Sequence, residues 1–256
     1  MEQPVLTPKQ NEIPYIYYRF RFLDRKQIQT MLNHKYPGLI KKWLADMTRK
    51  RVLARTYSRK FGENIKPAVY WLDIKSRNIL KANEDVIPAL LERIYEEKKR
   101  SQPFRDHSML IADIYLNIRA QAKESESELH FLTKIDLEGY KYVYNPLPDA
   151  YFVLTKGEET KRYFLEIISE QVPRFYLKKH FEYLLNYFSS GKWEQYSKHS
   201  FPTFLIVAPN YVSRAFLSKH ITKSRDSESR KALFYTTTID QIKINGMKDF
   251  IWQNVK

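Results

Sequence analysis

Cysteine is absent from the 256 residues. Its absence removes disulfide scaffolds, thiol nucleophiles and Cys-ligated zinc or iron–sulfur centres together. The six histidines are scattered, so a structural zinc site is not expected either. Long apolar runs are also missing. The longest, such as Phe204–Pro209, fall far short of the about 20 residues that cross a bilayer, so no membrane span is expected. The N-terminus, Met1-Glu2-Gln3-Pro4, lacks a basic segment followed by an apolar run, which argues against a signal peptide and for a cytoplasmic protein. No internal repeat, low-complexity tract or coiled-coil heptad is evident.

Acidic residues are the minority. Lys and Arg number 44 against 29 Asp and Glu, a formal charge of +15. An apolar content of 43% with 15% aromatics supports packed cores and excludes global disorder. At roughly 100–200 residues per domain, the length fits one large domain or two smaller ones. So large a positive excess calls for an acidic partner, most commonly nucleic acid. An anionic membrane surface or an acidic protein is the rival. Residues 1–80 hold 17 basic and 6 acidic side chains, whereas residues 81–256 hold 27 and 23. The partner is therefore expected on the N-terminal part.

Hydrophobic spacing predicts three helices there, over about 13–22, 24–36 and 39–50, with residues 1–12 loose. Asp24 with Gln27 three places on has the form of a capping box. Pro37-Gly38 separates the second helix from the third, whose apolar stripe is Ile40, Trp43, Leu44 and Met47. Strands over 52–57 and 68–72 flank a polar, basic loop. Three helices and a two-stranded ribbon are the parts of a winged helix-turn-helix. Lys41, Lys42, Arg49 and Lys50 lie off the apolar stripe, and Arg49 to Lys60 adds Arg51, Arg55, Arg59 and Lys60 with no acid among them. These residues, with Tyr57 as a further phosphate hydrogen-bonder, are the candidate contacts to double-stranded DNA.

The expected organisation is a winged helix over 1–82, a helical linker over 83–105 ended by Pro103, and an α/β domain over 106–256. In that domain a helix is predicted over 106–123 and strands over 128–135, 141–144, 149–155 and 162–168. A helix over 174–189 follows, then a doubly covered strand over 201–208. The later helix is expected to bury Phe175, Leu177, Phe181, Leu184, Leu185 and Phe188. Asp149 and Glu166 lie at adjacent strands and would form a carboxylate pair able to hold Mg²⁺ or Mn²⁺ for phosphodiester hydrolysis. The other reading makes Asp149 a strand-start acid on a neighbouring backbone group, and pairs Glu166 with Arg162 or a helix lysine.

Pro148-Asp149 followed by Leu165-Glu166-Ile167 resembles the PD-(D/E)xK nuclease frame, a restriction-endonuclease-like α/β fold with core order α-β-β-β-α-β. The predicted order matches it with one extra strand before Asp149. The resemblance implies a lysine two places after the second acid, where this chain has Ile168. Lys178 or Lys179 on the next helix would be its substitute. Over about residues 13–240 the chain is also similar to the replication-relaxation family of plasmids and mobile elements, which joins a winged helix to such a domain. The matching residues are Pro148-Asp149-Ala150, Leu165-Glu166-Ile167, and Lys178/Lys179 ahead of Tyr183 and Tyr187. The chain departs from the family pattern at Ile168, where that pattern has Asp. The resemblance implies a role in replication, mobilisation or DNA relaxation at a plasmid or mobile-element origin, in association with the nucleoid or plasmid; the acid and lysine missing at Ile168 favour a DNA-binding accessory protein over an enzyme. A replication or relaxosome protein is the expected partner, and a homodimer is expected because many winged-helix proteins read paired half-sites. The alternatives are a Mg²⁺-dependent nicking endonuclease using Asp149 and Glu166, and a membrane or protein adaptor with a basic face.

Overall fold

Side-chain caps and proline positions decide where the helices of this chain begin. The computed structural model describes residues 4–57, 67–227 and 229–255, in two compact units, Met1–Leu116 and Asn117–Lys256. The first helix, α1, spans Pro8–Phe20, five residues earlier than the apolar spacing predicts. Thr7 accepts from the Gln10 backbone, Gln10 accepts from the Thr7 backbone, and Pro8 fills the first helical position. The short strand β1, Leu23–Asp24, leads into α2, Arg25–Met31, through the expected box between Asp24 and Gln27. Helix α3 covers Pro37–Arg49, with Pro37 in its first turn, so the residue expected to end one helix opens the next.

Strands β2, Leu53–Thr56, and β3, Val69–Leu72, pair antiparallel with Leu53 opposite Leu72 and Thr56 opposite Val69. Strand β1 joins the outer side of β3, giving the order β1-β3-β2. Arg59 and Lys60, in the segment between these two strands, lie outside the described residues. Inside the unit, Ile13, Tyr17, Ile28, Ile40, Leu44 and Met47 are fully buried. Helix α4 is Ser76–Leu80, and Pro88–Lys99 forms 3-10 turns. The segment 83–105 belongs to this first unit: buried Glu97 makes two hydrogen bonds with Arg21 at 2.9 and 3.0 Å. Pro103 stands in the first turn of α5, Gln102–Glu124, and does not end regular structure there.

The second unit is a mixed α/β fold built on a six-stranded mixed sheet. Its elements are β4 (Glu128–Thr133), β5 (Ala150–Lys156), β6 (Glu159–Ile167), α6 (Arg174–Ser189) and α7 (Lys192–Ser197). There follow β7 (Thr203–Ala208), α8 (Tyr211–Ser224), β8 (Phe234–Thr238), α9 (Ile239–Asn245) and β9 (Gln253–Asn254). The sheet runs β4-β5-β6-β7-β8-β9, with β4, β5 and β6 an antiparallel meander and β6, β7 and β8 parallel. The strand predicted over 141–144 does not form. A 3-10 turn, Asp136–Gly139, is followed by irregular backbone that places Tyr144 in the core. Its alternating apolar pattern reflects burial by a turn. Without that strand the order from α5 to β7 is α-β-β-β-α-α-β, the short α7 standing between α6 and β7.

Candidate functional sites

The antiparallel register of β5 and β6 sets the first site. Ala150 opposes Leu165, which brings Asp149 beside Glu166, as the sequence predicts. Asp149 Oδ2 accepts the Ile167 backbone N–H at 2.7 Å, binding the head of β5 to the end of β6. Glu166 is 8% exposed and is met from two sides. The Tyr144 hydroxyl donates to its Oε1 at 2.5 Å, and His180 Nε2 lies 3.5 Å from its Oε2. Neither Arg162 nor a helix lysine takes that place: the partner is His180. Burial, then the Glu166 charge, pushes the Tyr144 hydroxyl well above its ordinary value, so it stays a donor. Burial pulls His180 down, but the hydrogen bond and charge of Glu166, with Asp149, outweigh it and leave the imidazole raised.

The two lysines proposed as substitutes lie elsewhere. Lys179 rests on the Phe175 ring at 4.5 Å, Lys178 is exposed, and neither pairs with Asp149 or Glu166 among the described residues. Helical geometry explains it. His180 lies three residues after buried Leu177 and four before buried Leu184, on the inward stripe, whereas 178 and 179 fall off it. That spacing was the signal for His180; for Tyr144, embedded in a turn, sequence holds none. Phe175, expected inside, is 58% exposed because it precedes Leu177 by two residues, more than half a helical turn.

The donor set does not fit a resident Mg²⁺ or Mn²⁺. Both oxygens of Glu166 face protein donors, Asp149 Oδ2 is held by a backbone N–H, and Ile168 is packed into the core. The described residues contain no group of three or more His, Asp or Glu arranged to hold a metal ion. A hard cation needs several free oxygens converging on one point.

The second site is the outward face of α3. Opposite buried Ile40, Leu44 and Met47 lie Gly38, Lys41, Lys42, Ala45 and Arg49, all exposed. Trp43 is half-buried against His34, with ring centres 5.2 Å apart. Asp46 binds Arg49 at 2.6 Å and Lys50 at 2.7 Å, and Lys50 also donates to the Val5 carbonyl at 2.8 Å. Those contacts, the Lys50 hydrogen bond first and then Arg49, hold the Asp46 carboxyl down at about 2. Arg51 lies 3.5 Å from Asp73. Arg55 stacks on Tyr57, 5.1 Å from the ring centre, and both are exposed. The predicted cations therefore divide. Lys41, Lys42, Arg49, Arg51 and Arg55 are exposed, Arg49 and Arg51 beside Asp46 and Asp73, while half-buried Lys50 is tied to Asp46 and the Val5 carbonyl.

No protein-family model matches the chain, and no curated protein matches it. Among solved structures it is similar to restriction endonuclease FokI bound to DNA, at 12% identity and a TM-score of 0.32, over 93% of this chain and 44% of that one. A second FokI structure gives 11% identity and 0.34, over 95% and 45%. The chain thus spans less than half the length of FokI. Likeness at this level assigns neither family nor activity. No described helix is long and apolar enough to cross a membrane.

Proposed function

We propose that the protein is a double-stranded DNA-binding accessory protein whose N-terminal unit is a winged helix. The observation that carries this reading is the outward face of α3, where Lys41, Lys42 and Arg49 alternate with the small residues Gly38 and Ala45. Small residues let the helix backbone approach base edges while the cations meet flanking phosphates. The order α1-β1-α2-α3-β2-β3, with β1 paired to β3, supports it, as does exposed Arg55 on the hairpin. The target is an origin-like site of a plasmid or mobile element, where a replication or relaxosome protein would act beside it. That finer part rests on the family resemblance.

The α-β-β-β-α-α-β order, that frame with the short α7 added before β7, supports reading the second unit as a PD-(D/E)xK-like domain that supplies further phosphate contacts or a homodimer interface. The nicking alternative draws no support from Glu166, whose oxygens are engaged by Tyr144 and His180. The test is selection of bound duplexes from a replicon, followed by affinity against salt for the full chain and for Lys41→Ala/Lys42→Ala. Loss of two phosphate contacts lowers the slope of log affinity against log salt by about 1.8. An unchanged slope and affinity would sink the assignment.

A further inference from the structure

Helices α6 and α8 lie side by side and parallel. Asn210 Nδ2 is 3.5 Å from Glu170 Oε1, Arg174 stacks on Phe216 at 4.9 Å, and His220 Nε2 is 3.3 Å from the Lys178 carbonyl. Their first turns are therefore at the same end of the sheet. Leu177, Phe181 and Leu184 of α6 and Leu217 and Ile221 of α8 anchor the inner faces in the core. The outer faces are not polar in the ordinary way. Phe175 is 58% exposed, Tyr176 63%, Tyr183 41% and Tyr211 62%.

Cations accompany those rings. Lys179 Nζ is 4.5 Å from the Phe175 ring centre, and the Arg214 guanidinium is 3.9 Å from that of Tyr211. Arg174, Lys178 and Lys179 on α6, with Arg214, Lys219 and Lys223 on α8, face a single acid within the two helices, Glu182. Glu182 is itself turned to His220 at 3.8 Å. Tyr176 and Tyr183 share the flank of α6 turned away from α8, next to Phe175 and Lys179, because both lie well over a quarter turn round the helix from Arg174 and Lys178, which meet Phe216 and His220; Tyr211 lies on the far flank of α8.

The geometry points to a single-stranded nucleic acid as the ligand of the outer surface of α6, its bases stacking on Tyr176, Tyr183 and Phe175 and its phosphates meeting Lys179 and the neighbouring exposed cations Lys178, Lys219 and Lys223. Charge complementarity calls for a polyanion, and the rings choose among polyanions. A duplex keeps its base faces stacked inside and presents phosphates and groove edges, so exposed rings gain little from it. An unpaired strand offers a π-face at every nucleotide, and stacking on aromatic side chains between cations is how sequence-tolerant single-strand binding works. Tyr176 and Tyr183 stand seven residues apart, about 10 Å along the helix axis, so one strand can use both. The inference stands apart from duplex binding by α3.

The test is fluorescence anisotropy of the full chain with a labelled oligothymidylate of about 20 nucleotides and a duplex of equal length. Tyr176→Ala/Tyr183→Ala is expected to weaken oligothymidylate binding about tenfold or more. Duplex binding stays unchanged, and Tyr176→Phe/Tyr183→Phe, which keeps the rings, retains wild-type affinity. Lys41→Ala/Lys42→Ala should do the reverse, losing duplex and keeping single strand, so the two readings fail separately. The inference is overturned if the alanine pair leaves single-strand affinity intact. It is equally overturned if polyglutamate of matched charge displaces the oligothymidylate as well as unlabelled strand does, which would mark an acidic protein as the partner.

Discussion

Tyr144 gives its hydroxyl hydrogen to Glu166 Oε1 inside a core where Tyr144 is 1% and Glu166 8% exposed. A buried carboxylate is costly unless donors meet it, and here a turn delivers one and a helix the other. The position that resembles a nuclease carboxylate is thereby built as a structural network of Tyr144, Glu166 and His180.

Removing the hydroxyl should show its weight. Tyr144→Phe keeps the ring packing against Phe164 and Tyr187 but leaves Glu166 Oε1 without that donor. The expected loss is about 1–3 kcal/mol in urea unfolding. Glu166→Gln tests the pair as a double-mutant cycle, since the two changes should be strongly non-additive. Simple additivity would mean the bond contributes nothing of its own.

His180 predicts a pH dependence with a definite sign. Its folded value is raised above the ordinary 6.5 because Glu166, with Asp149, outweighs burial. A raised value means the folded state binds the proton more tightly. That contribution is complete below about pH 6.5 and is lost as pH rises through the folded value. Urea midpoints for the wild type should therefore fall across that interval, and those for His180→Gln should fall less. Imidazole shifts followed by NMR would locate the titration. A wild-type midpoint no more pH-sensitive than that of the variant would refute the coupling to Glu166.

Local signals carried much of this fold into the sequence, and long-range ones did not. The bounds of α6, Arg174–Ser189, follow from its apolar spacing, and the Asp24–Gln27 box fixes the start of α2. The identical device at Thr7–Gln10 begins α1 inside a segment that composition presents as loose. Pro37 and Pro103 read as breaks, yet proline suits a helix's first turn as well as its end, and only the neighbouring packing decides. Asp149 and Glu166 were legible as neighbours because strand register is periodic. Tyr144 was not, since its approach depends on an irregular turn, and the lysine pair drew attention from His180 one place further on. Exposure of Phe175 is legible only once its phase is set against Leu177 rather than its hydrophobicity.

Asp46 restrains the proposed duplex surface. It occupies Arg49 and Lys50, and its carboxyl, held at about 2, stays charged at any working pH. Any stability it supplies is present above the ordinary 3.8 and is lost only as pH falls through about 2. Asp46→Asn should raise duplex affinity and steepen its salt dependence, because Arg49 gains a free charge on the outward face. Anisotropy at several salt concentrations is the measurement. Weaker binding by the variant would show instead that Asp46 positions Arg49 for its contact.

Divalent cations should leave the second unit indifferent. A Mg²⁺ or Mn²⁺ ion bound at 100 times its dissociation constant would stabilise the folded chain by about 2.7 kcal/mol, a readily measured rise in melting temperature. With Glu166 committed to Tyr144 and His180, and Asp149 to the Ile167 N–H, no such rise is expected for the wild type. Supercoiled plasmid incubated with wild-type protein and Mn²⁺ should stay supercoiled. Conversion to open circle that Glu166→Ala abolishes would mean the network opens in solution and that the carboxylates do bind metal.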